Sequence, residues 1–219
     1  FRCSLFKPRS SPYTYQGYGI DGVKMLKLLH SETNLMLETE ILSTDHLDAL
    51  AGEADILRIG SRNMDNYELL KAVGKINKPV ILKRNMSATL EEFLLAAEYI
   101  LSVGNNKVIL CERGIRTFEN YTRNTLDILA VPALKELTHL PVIVDPSHST
   151  GKSSLVPAAS KAALAAGADG LMIEVHPDPI NSFSDGQQSI DIPTFDKLMK
   201  DLCEMTNLLG KKSFSPVLS

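Results

Sequence analysis

Short apolar runs recur along this chain, and after most of them apolar residues return every three or four positions. The runs predict β-strands at residues 34–39, 55–59, 79–83, 107–111, 141–145 and 170–174. The opening "FRCSLF", residues 1–6, reads as a seventh strand ahead of the turn-rich "KPRSSPYTYQGYG". The stretches "GVKMLKLLH", "NYELLKAVGKI", "TLEEFLLAAEYILSVG", "LVPAASKAALAAG" and "IPTFDKLMKDLCEMTNLLG" carry helical spacing, and several close on a glycine where a helix C-cap would fall.

Strand and helix in alternation, joined by short connections, imply a parallel sheet. A doubly wound open sheet would carry a glycine-rich turn after its first strand, and no such turn stands there. A (β/α)8 barrel places its chemistry at the carboxyl ends of its strands, and charged residues stand at most of those ends here. The expectation is therefore an α/β fold, a (β/α)8 TIM barrel with one strand fewer than eight. No Ser-, Gly- or Pro-rich linker divides it, so residues 1–219 are expected to form one barrel domain.

Composition narrows the partners. With 219 residues, 44% of them hydrophobic, the chain can bury a sizeable core. Its 23 basic and 26 acidic residues leave a net charge of −3, which gives no field to attract nucleic acid. The three cysteines, Cys3, Cys111 and Cys203, are far apart and suit a reducing compartment better than a disulfide framework. No apolar run approaches the roughly 20 residues of a membrane span, and the expected location is the cytoplasm. Phe1 in place of methionine suggests a chain that is processed, cut or a fragment.

The strand tips hold Lys7 and Arg9, Glu40, Arg62, Lys83 and Arg84, Arg113, His148 and Glu174. A barrel would gather these scattered residues into one ring. Several converging cations need anions to neutralise them, and Arg and Lys donors match phosphate and carboxylate oxygens. His148, Glu174 and Asp185, the last in "SFSDGQQS", form a mixed imidazole and carboxylate set suited to a divalent metal of the Mn, Fe or Zn type. His176 is a competing ligand of lower rank, and His30, His46 and His139 read as surface.

In their order along the chain, "KPRSSPYTYQGYG", "IGSRNMDNYELL", "ILCERGIRTFE", "VDPSHSTG" and "IEVHPDPINSFSDGQQSID" resemble the successive blocks of 3-deoxy-D-arabino-heptulosonate 7-phosphate (DAHP) synthases. The resemblance is to the short-form branch related to 3-deoxy-D-manno-octulosonate 8-phosphate synthase, and it runs from residue 1 to about 210. It implies a transferase of the shikimate pathway to aromatic amino acids, condensing phosphoenolpyruvate with erythrose 4-phosphate and releasing phosphate. By the same resemblance, Arg2, Arg62, Lys83 and Arg113, with the backbone at Gly60 and Ser61, would hold phosphoenolpyruvate. Lys7, Arg9 and Ser10 would hold the aldose phosphate, and His148, Glu174 and Asp185 would be three of four ligands to a divalent metal (Mn, Fe, Zn or Co). Lys83 would donate or relay a proton, with Glu40 or a metal-held water as the other candidates, and a dimer or tetramer is implied.

The chain also departs from the pattern. The family's fourth ligand is a cysteine on the first barrel strand, upstream of residue 1, so the first strand and helix are expected to be missing here. "CSL" at residues 3–5 stands where small residues are usual, Ser10 replaces a threonine, and Ser61 replaces an alanine. Cys3 is a candidate substitute ligand, and Cys111 reads as core. Two alternatives stay open: the octulosonate phosphate synthase, against which "KPRS" argues because that family has Asn before the arginine, and an inactive remnant that still binds phosphoenolpyruvate.

Overall fold

The segments "ETEI" and "ILRI" alternate charge with apolar or β-branched side chains, which assigns opposite faces to successive residues once they are extended. In the computed structural model, which describes residues 1–8 and 11–211, both are strands, and six strands alternate with helices among the described residues. All strand pairs below are parallel, the (β/α)-barrel pattern expected from sequence. The chain divides into two compact units, Phe1–Cys111 and Glu112–Ser219.

The first unit contains α1 (Val23–Glu32), β1 (Glu38–Ile41), α2 (Leu47–Glu53), β2 (Ile56–Ile59), α3 (Tyr67–Gly74), β3 (Val80–Lys83), α4 (Leu90–Leu101) and most of β4 (Val108–Glu112). Register pairs Glu40 with Arg58, Arg58 with Ile81, and both Lys83 with Cys111 and Ile81 with Ile109. One sheet face therefore presents Glu38, Glu40, Arg58, Ile81, Lys83, Ile109 and Cys111. The opposite face presents Thr39, Ile41, Leu57, Ile59, Val80, Leu82, Val108 and Leu110, all buried.

Helix α4 starts where it does because Thr89 and Glu92 form a capping box, each side chain accepting from the other's backbone N–H. Its buried side, Phe93, Ala96, Ala97 and Ile100, runs against α3. Buried Asn105 closes the turns that lead into β3 and β4. Its amide donates to the Ile76 and Lys78 carbonyls at 3.0 and 2.8 Å, and its oxygen accepts from Lys107 N–H at 2.9 Å.

The second unit contains α5 (Ala130–Leu137), β5 (Val142–Val144), α6 (Pro146–Thr150), α7 (Val156–Ala165), β6 (Gly170–Leu171) and α8 (Ile192–Leu208). Val156, Leu164, Ile190, Leu198 and Leu202 form its core, with Leu171, Ile173, Phe195 and Met205 packed against them. Among the described residues no helix is long and apolar enough to cross a membrane.

Three predicted strands differ from the observed ones. Residues 34–37 are not strand, because Leu35 and Met36 face solvent and the Leu37 N–H donates to the Asp55 carboxylate at 2.7 Å, so β1 begins at Glu38. "FRCSLF" forms isolated bridges, Arg2 with Glu38 and Phe6 with Gly17, rather than a seventh strand. Residues 172–174 leave the strand because β5 ends at Val144 before Pro146, and the Glu174 N–H donates to Ser147 Oγ at 2.9 Å instead.

Replacing Asn105 by Ala strands two part-buried carbonyls and one N–H. Urea denaturation should show a loss of about 2–3 kcal/mol; a loss below about 0.5 kcal/mol would mean that water restores all three bonds.

Candidate functional site

In the first unit the polar sheet face is organised by Arg58, a residue that the strand-tip reading passed over because it lies inside a strand. It is 2% exposed. Its Nε donates to Glu38 Oε1 and its Nη1 to Glu40 Oε2, both at 2.8 Å, and its Nη2 to Ser4 Oγ at 2.6 Å. The sequence did hold a signal: acids two apart in "ETEI" share a face, and the strand that follows puts one arginine at matching parity. Burial alone would raise the Glu40 carboxyl, but Arg58, then Arg2 and Lys83, outweigh it and hold Glu40 below its ordinary value of 4.5. The same two carboxylates overcome the cost of burying Arg58 and raise its pKa further.

Glu40 therefore does not follow a strand, as expected, but sits inside β1 with its carboxylate in the Arg58 pair. Gly60 leaves room for this group: a Cβ there would collide with Glu40 Oε1, so a larger residue would displace the carboxylate. Ser61 and Arg62 follow in a single 3-10 turn, where exposed Arg62 donates to the Pro8 carbonyl at 3.3 Å. Lys83 ends β3 and is 3% exposed, and Arg2 sits in the bridge to Glu38. Lys7 is half-buried, whereas Arg9 and Ser10 lie outside the described residues. Arg84 serves its own loop, donating from Nε to the Ala88 carbonyl at 3.0 Å. Burial, then Glu38, push the Cys3 thiol up, which makes it less ready to become a metal-binding thiolate. Cys111 is fully buried, as expected of a core residue.

In the second unit His148 is not at the strand tip itself but in α6, the one-turn helix that follows β5. Asp145 caps that helix, accepting from the His148 N–H at 2.9 Å, and Pro146 fits its first turn, where no N–H is needed. Asp145 Oδ2 also lies 2.8 Å from His148 Nδ1, so the carboxylate that caps the helix also stands against the Nδ1 side of the ring. Nε2 is thereby turned to Glu174 Oε1, 3.6 Å away. Glu174 is held from three sides: its N–H by Ser147 Oγ, its carbonyl by Ile190 N–H at 3.0 Å, and its Oε2 by Gln188 Nε2 at 2.6 Å.

Asp185 has φ 60°, the only non-glycine residue with positive φ among those described. A strained backbone of this kind persists where its surroundings require it. Arg123 Nη1 lies 4.0 Å from its Oδ1. Arg113 is buried directly after β4, its Nη2 3.4 Å from the His148 carbonyl. His176 accepts the Asp178 N–H on its own Nδ1 at 3.0 Å. The structure thus brings His148 and Glu174 together with Asp145, Ser147 and Gln188, which the sequence reading had not assigned. Among the described residues no three His, Cys, Asp or Glu are gathered tightly enough to form a ready cluster for a metal.

Parallel strands alternating with helices, with charged and imidazole side chains at or just beyond their carboxyl ends, define the class of (β/α)-barrel chains that build their sites at strand tips. A profile described as "DAHP synthetase I family" matches residues 1–210, and the chain belongs to that family. It is 50% identical over 211 residues to a phospho-2-dehydro-3-deoxyheptonate aldolase of Thermotoga maritima, covering 96% of this chain and 62% of that protein. This chain therefore spans less than two thirds of that relative's length. A 2-dehydro-3-deoxyphosphooctonate aldolase of Syntrophotalea carbinolica is 31% identical over 215 residues, covering 92% of this chain and 76% of that protein. Among solved structures, the Thermotoga maritima DAHP synthase superposes with TM-score 0.92 at 49% identity, covering 96% of this chain and 62% of its own. A truncated form of the Thermotoga enzyme gives TM-score 0.87 at 49% identity over 91% of this chain and 76% of its own.

Arg58→Met leaves two buried carboxylates without their cation and should cost about 3–5 kcal/mol near neutral pH. Because the Glu40 pKa is lowered by folding, its contribution to the wild type is complete above the ordinary 4.5 and is lost as pH falls through the folded value. The variant's deficit should therefore shrink on acidification, read as converging urea midpoints at pH 7 and pH 4. A deficit independent of pH would show that the pair contributes packing rather than charge.

Proposed function

We propose that this chain performs the condensation of its family: phosphoenolpyruvate, erythrose 4-phosphate and water give DAHP and inorganic phosphate. The carrying observation is the His148 imidazole, held at its backbone by Asp145, whose carboxylate also lies 2.8 Å from Nδ1, with Nε2 toward Glu174, in a member of the DAHP synthetase I family. The relative most similar among those described carries that activity in its name, as phospho-2-dehydro-3-deoxyheptonate aldolase.

In this reading the enol carbon of phosphoenolpyruvate attacks the aldehyde carbon. The aldehyde oxygen takes up a proton, water adds at C2, and phosphate departs with its bridging oxygen. Arg2, Arg62, Lys83 and Arg113, with the Gly60 and Ser61 backbone, bind the phosphate and carboxylate of phosphoenolpyruvate. Lys7, Arg9 and Ser10 bind the aldose phosphate. Charged donors suit both roles because each substrate is an anion, and holding them in place removes much of the entropy cost of joining two molecules. Glu40, kept ionised by Arg58, is an electrostatic anchor beside Lys83 rather than an acid, which leaves Lys83 and a metal-held water as the candidate proton donors.

His148, Glu174 and Asp185 suit a divalent metal by their donor types: an imidazole with a carboxylate on its Nδ1 side, together with oxygen donors, is a common first-row arrangement. When bound, such an ion supplies Lewis acidity toward the aldehyde oxygen. Asp145 fixes which ring nitrogen faces it, and Ser147 and Gln188 fix Glu174. A cytoplasmic homo-oligomer, a dimer or tetramer, belongs to the same proposal.

The test is phosphate release from phosphoenolpyruvate with erythrose 4-phosphate, with and without Mn2+, and with a five-carbon aldose phosphate in its place. Turnover that requires Mn2+ and prefers the four-carbon aldose is expected. Preference for the five-carbon aldose would reassign the chain to the octulosonate reaction, while phosphoenolpyruvate binding without turnover would mark an inactive binder. Lys83→Met should weaken phosphoenolpyruvate binding by about 10- to 100-fold in titration calorimetry; unchanged binding would remove Lys83 from the substrate contacts.

A further inference from the structure

Gln188 is 3% exposed and has a different kind of partner at each end of its amide. Its Nε2 donates to Glu174 Oε2 at 2.6 Å, and its Oε1 accepts from Arg123 Nη1 at 2.8 Å. Arginine has no acceptor and a carboxylate no donor, so the amide can face only one way. Of the two Glu174 oxygens, Oε2 is then taken by the amide while Oε1 is turned to His148 Nε2. The same residue reaches the third candidate ligand through its backbone, its N–H donating to the Asp185 carbonyl at 3.2 Å within the turn Gly186–Gln188. At the other end, the Arg123 N–H donates to the Thr150 carbonyl at 3.0 Å, on the helix that carries His148.

We propose that Gln188 and Arg123 form a one-directional positioning relay that fixes the Glu174 carboxylate so that Oε1 alone is presented toward a divalent cation, with Arg123 acting through Gln188. The relay rests on the reading of His148 and Glu174 as metal ligands, and neither relay residue touches the ion. Without it Glu174 loses the bond that holds Oε2, and binding must then include part of the entropy cost of ordering that carboxylate. Removing groups that orient ligands typically costs 10- to 100-fold in metal affinity.

The experiment is Mn2+ binding to the full chain after chelator treatment, followed by the electron paramagnetic resonance signal of free Mn2+. Thermal melting in excess chelator is recorded alongside. Gln188→Met, similar in length but without hydrogen bonds, should raise Kd by about 10- to 100-fold at a temperature where its chelator melt shows it folded, whereas a merely structural residue would lower the melt and leave the Kd of the folded protein unchanged. Arg123→Ala should raise Kd by a smaller factor, Arg123→Lys should recover part of it, and Arg123→Ala combined with Gln188→Met should bind like Gln188→Met alone. Wild-type affinity in Gln188→Met overturns the relay. Losses that multiply in the double variant also overturn it, since Arg123 would then act on Asp185 directly. If Gln188→Met does not fold, exposed Arg123 decides: unchanged Kd in Arg123→Ala overturns the relay. Failure of the wild type itself to bind Mn2+ would instead overturn the metal reading beneath it.

Discussion

A guanidinium with almost no contact with water constrains the whole polar face of the first unit. Arg58 is tolerable there only because two carboxylates and a hydroxyl accept from it, and its charge in turn helps to hold the Glu40 carboxyl below the ordinary value. The pairing requires β1 and β2 to meet in one register, with Glu40 opposite Arg58. It also brings a carboxylate oxygen so close to residue 60 that any side chain there would push it aside, at the position where the chain leaves β2 toward Arg62. A one-residue slip between the strands would move Arg58 to the apolar face and Leu57 to the polar one. The ion pair thus specifies the alignment on which the placement of Lys83 and the glycine turn depends.

The second unit uses hydrogen bonds that each settle more than one atom. Asp145 ends a strand, starts a helix and orients an imidazole, which is why five residues suffice to present His148. Ser147, one residue earlier, holds the backbone of Glu174. The two side chains are therefore spaced by the geometry of a single turn of helix rather than by the reach of flexible loops.

The parallel α/β organisation was legible because buried strands and amphipathic helices leave different periods in the sequence, and 55–59, 79–83 and 107–111 came within a residue of the observed β2, β3 and β4. The ends of those strands were legible for the same reason, but not every residue expected there: Glu40 lies inside β1 and His148 in the helix after β5. Arg58 was not, since attention to tips discounts a cation in mid-strand, although its parity with Glu38 and Glu40 was readable. Gln188 and Arg123 were invisible because they are 65 residues apart and their bond exists only after folding. Strand 170–174 was overextended because periodicity does not reveal that a serine hydroxyl takes the N–H of Glu174.

The segment from Gly114 to Asn124 has the appearance of an ordinary surface excursion, with Phe118 fully exposed at its outer part. Its base is bonded like a sheet edge: Ile115 pairs with Thr125, and the N–H groups of Arg123 and Asn124 donate to the carbonyls of Thr150 and Ser149. Lys152 lies over the Tyr121 ring, 3.2 Å from its centroid, and Gly151 leaves no room for a Cβ against Arg123. The excursion is therefore held in two ways, by its own side chains where it meets solvent and by backbone bonds where it meets the histidine helix. A protease would find its purchase near Phe118, while amide hydrogens at residues 123–124 exchange at the pace of the structure they are tied to.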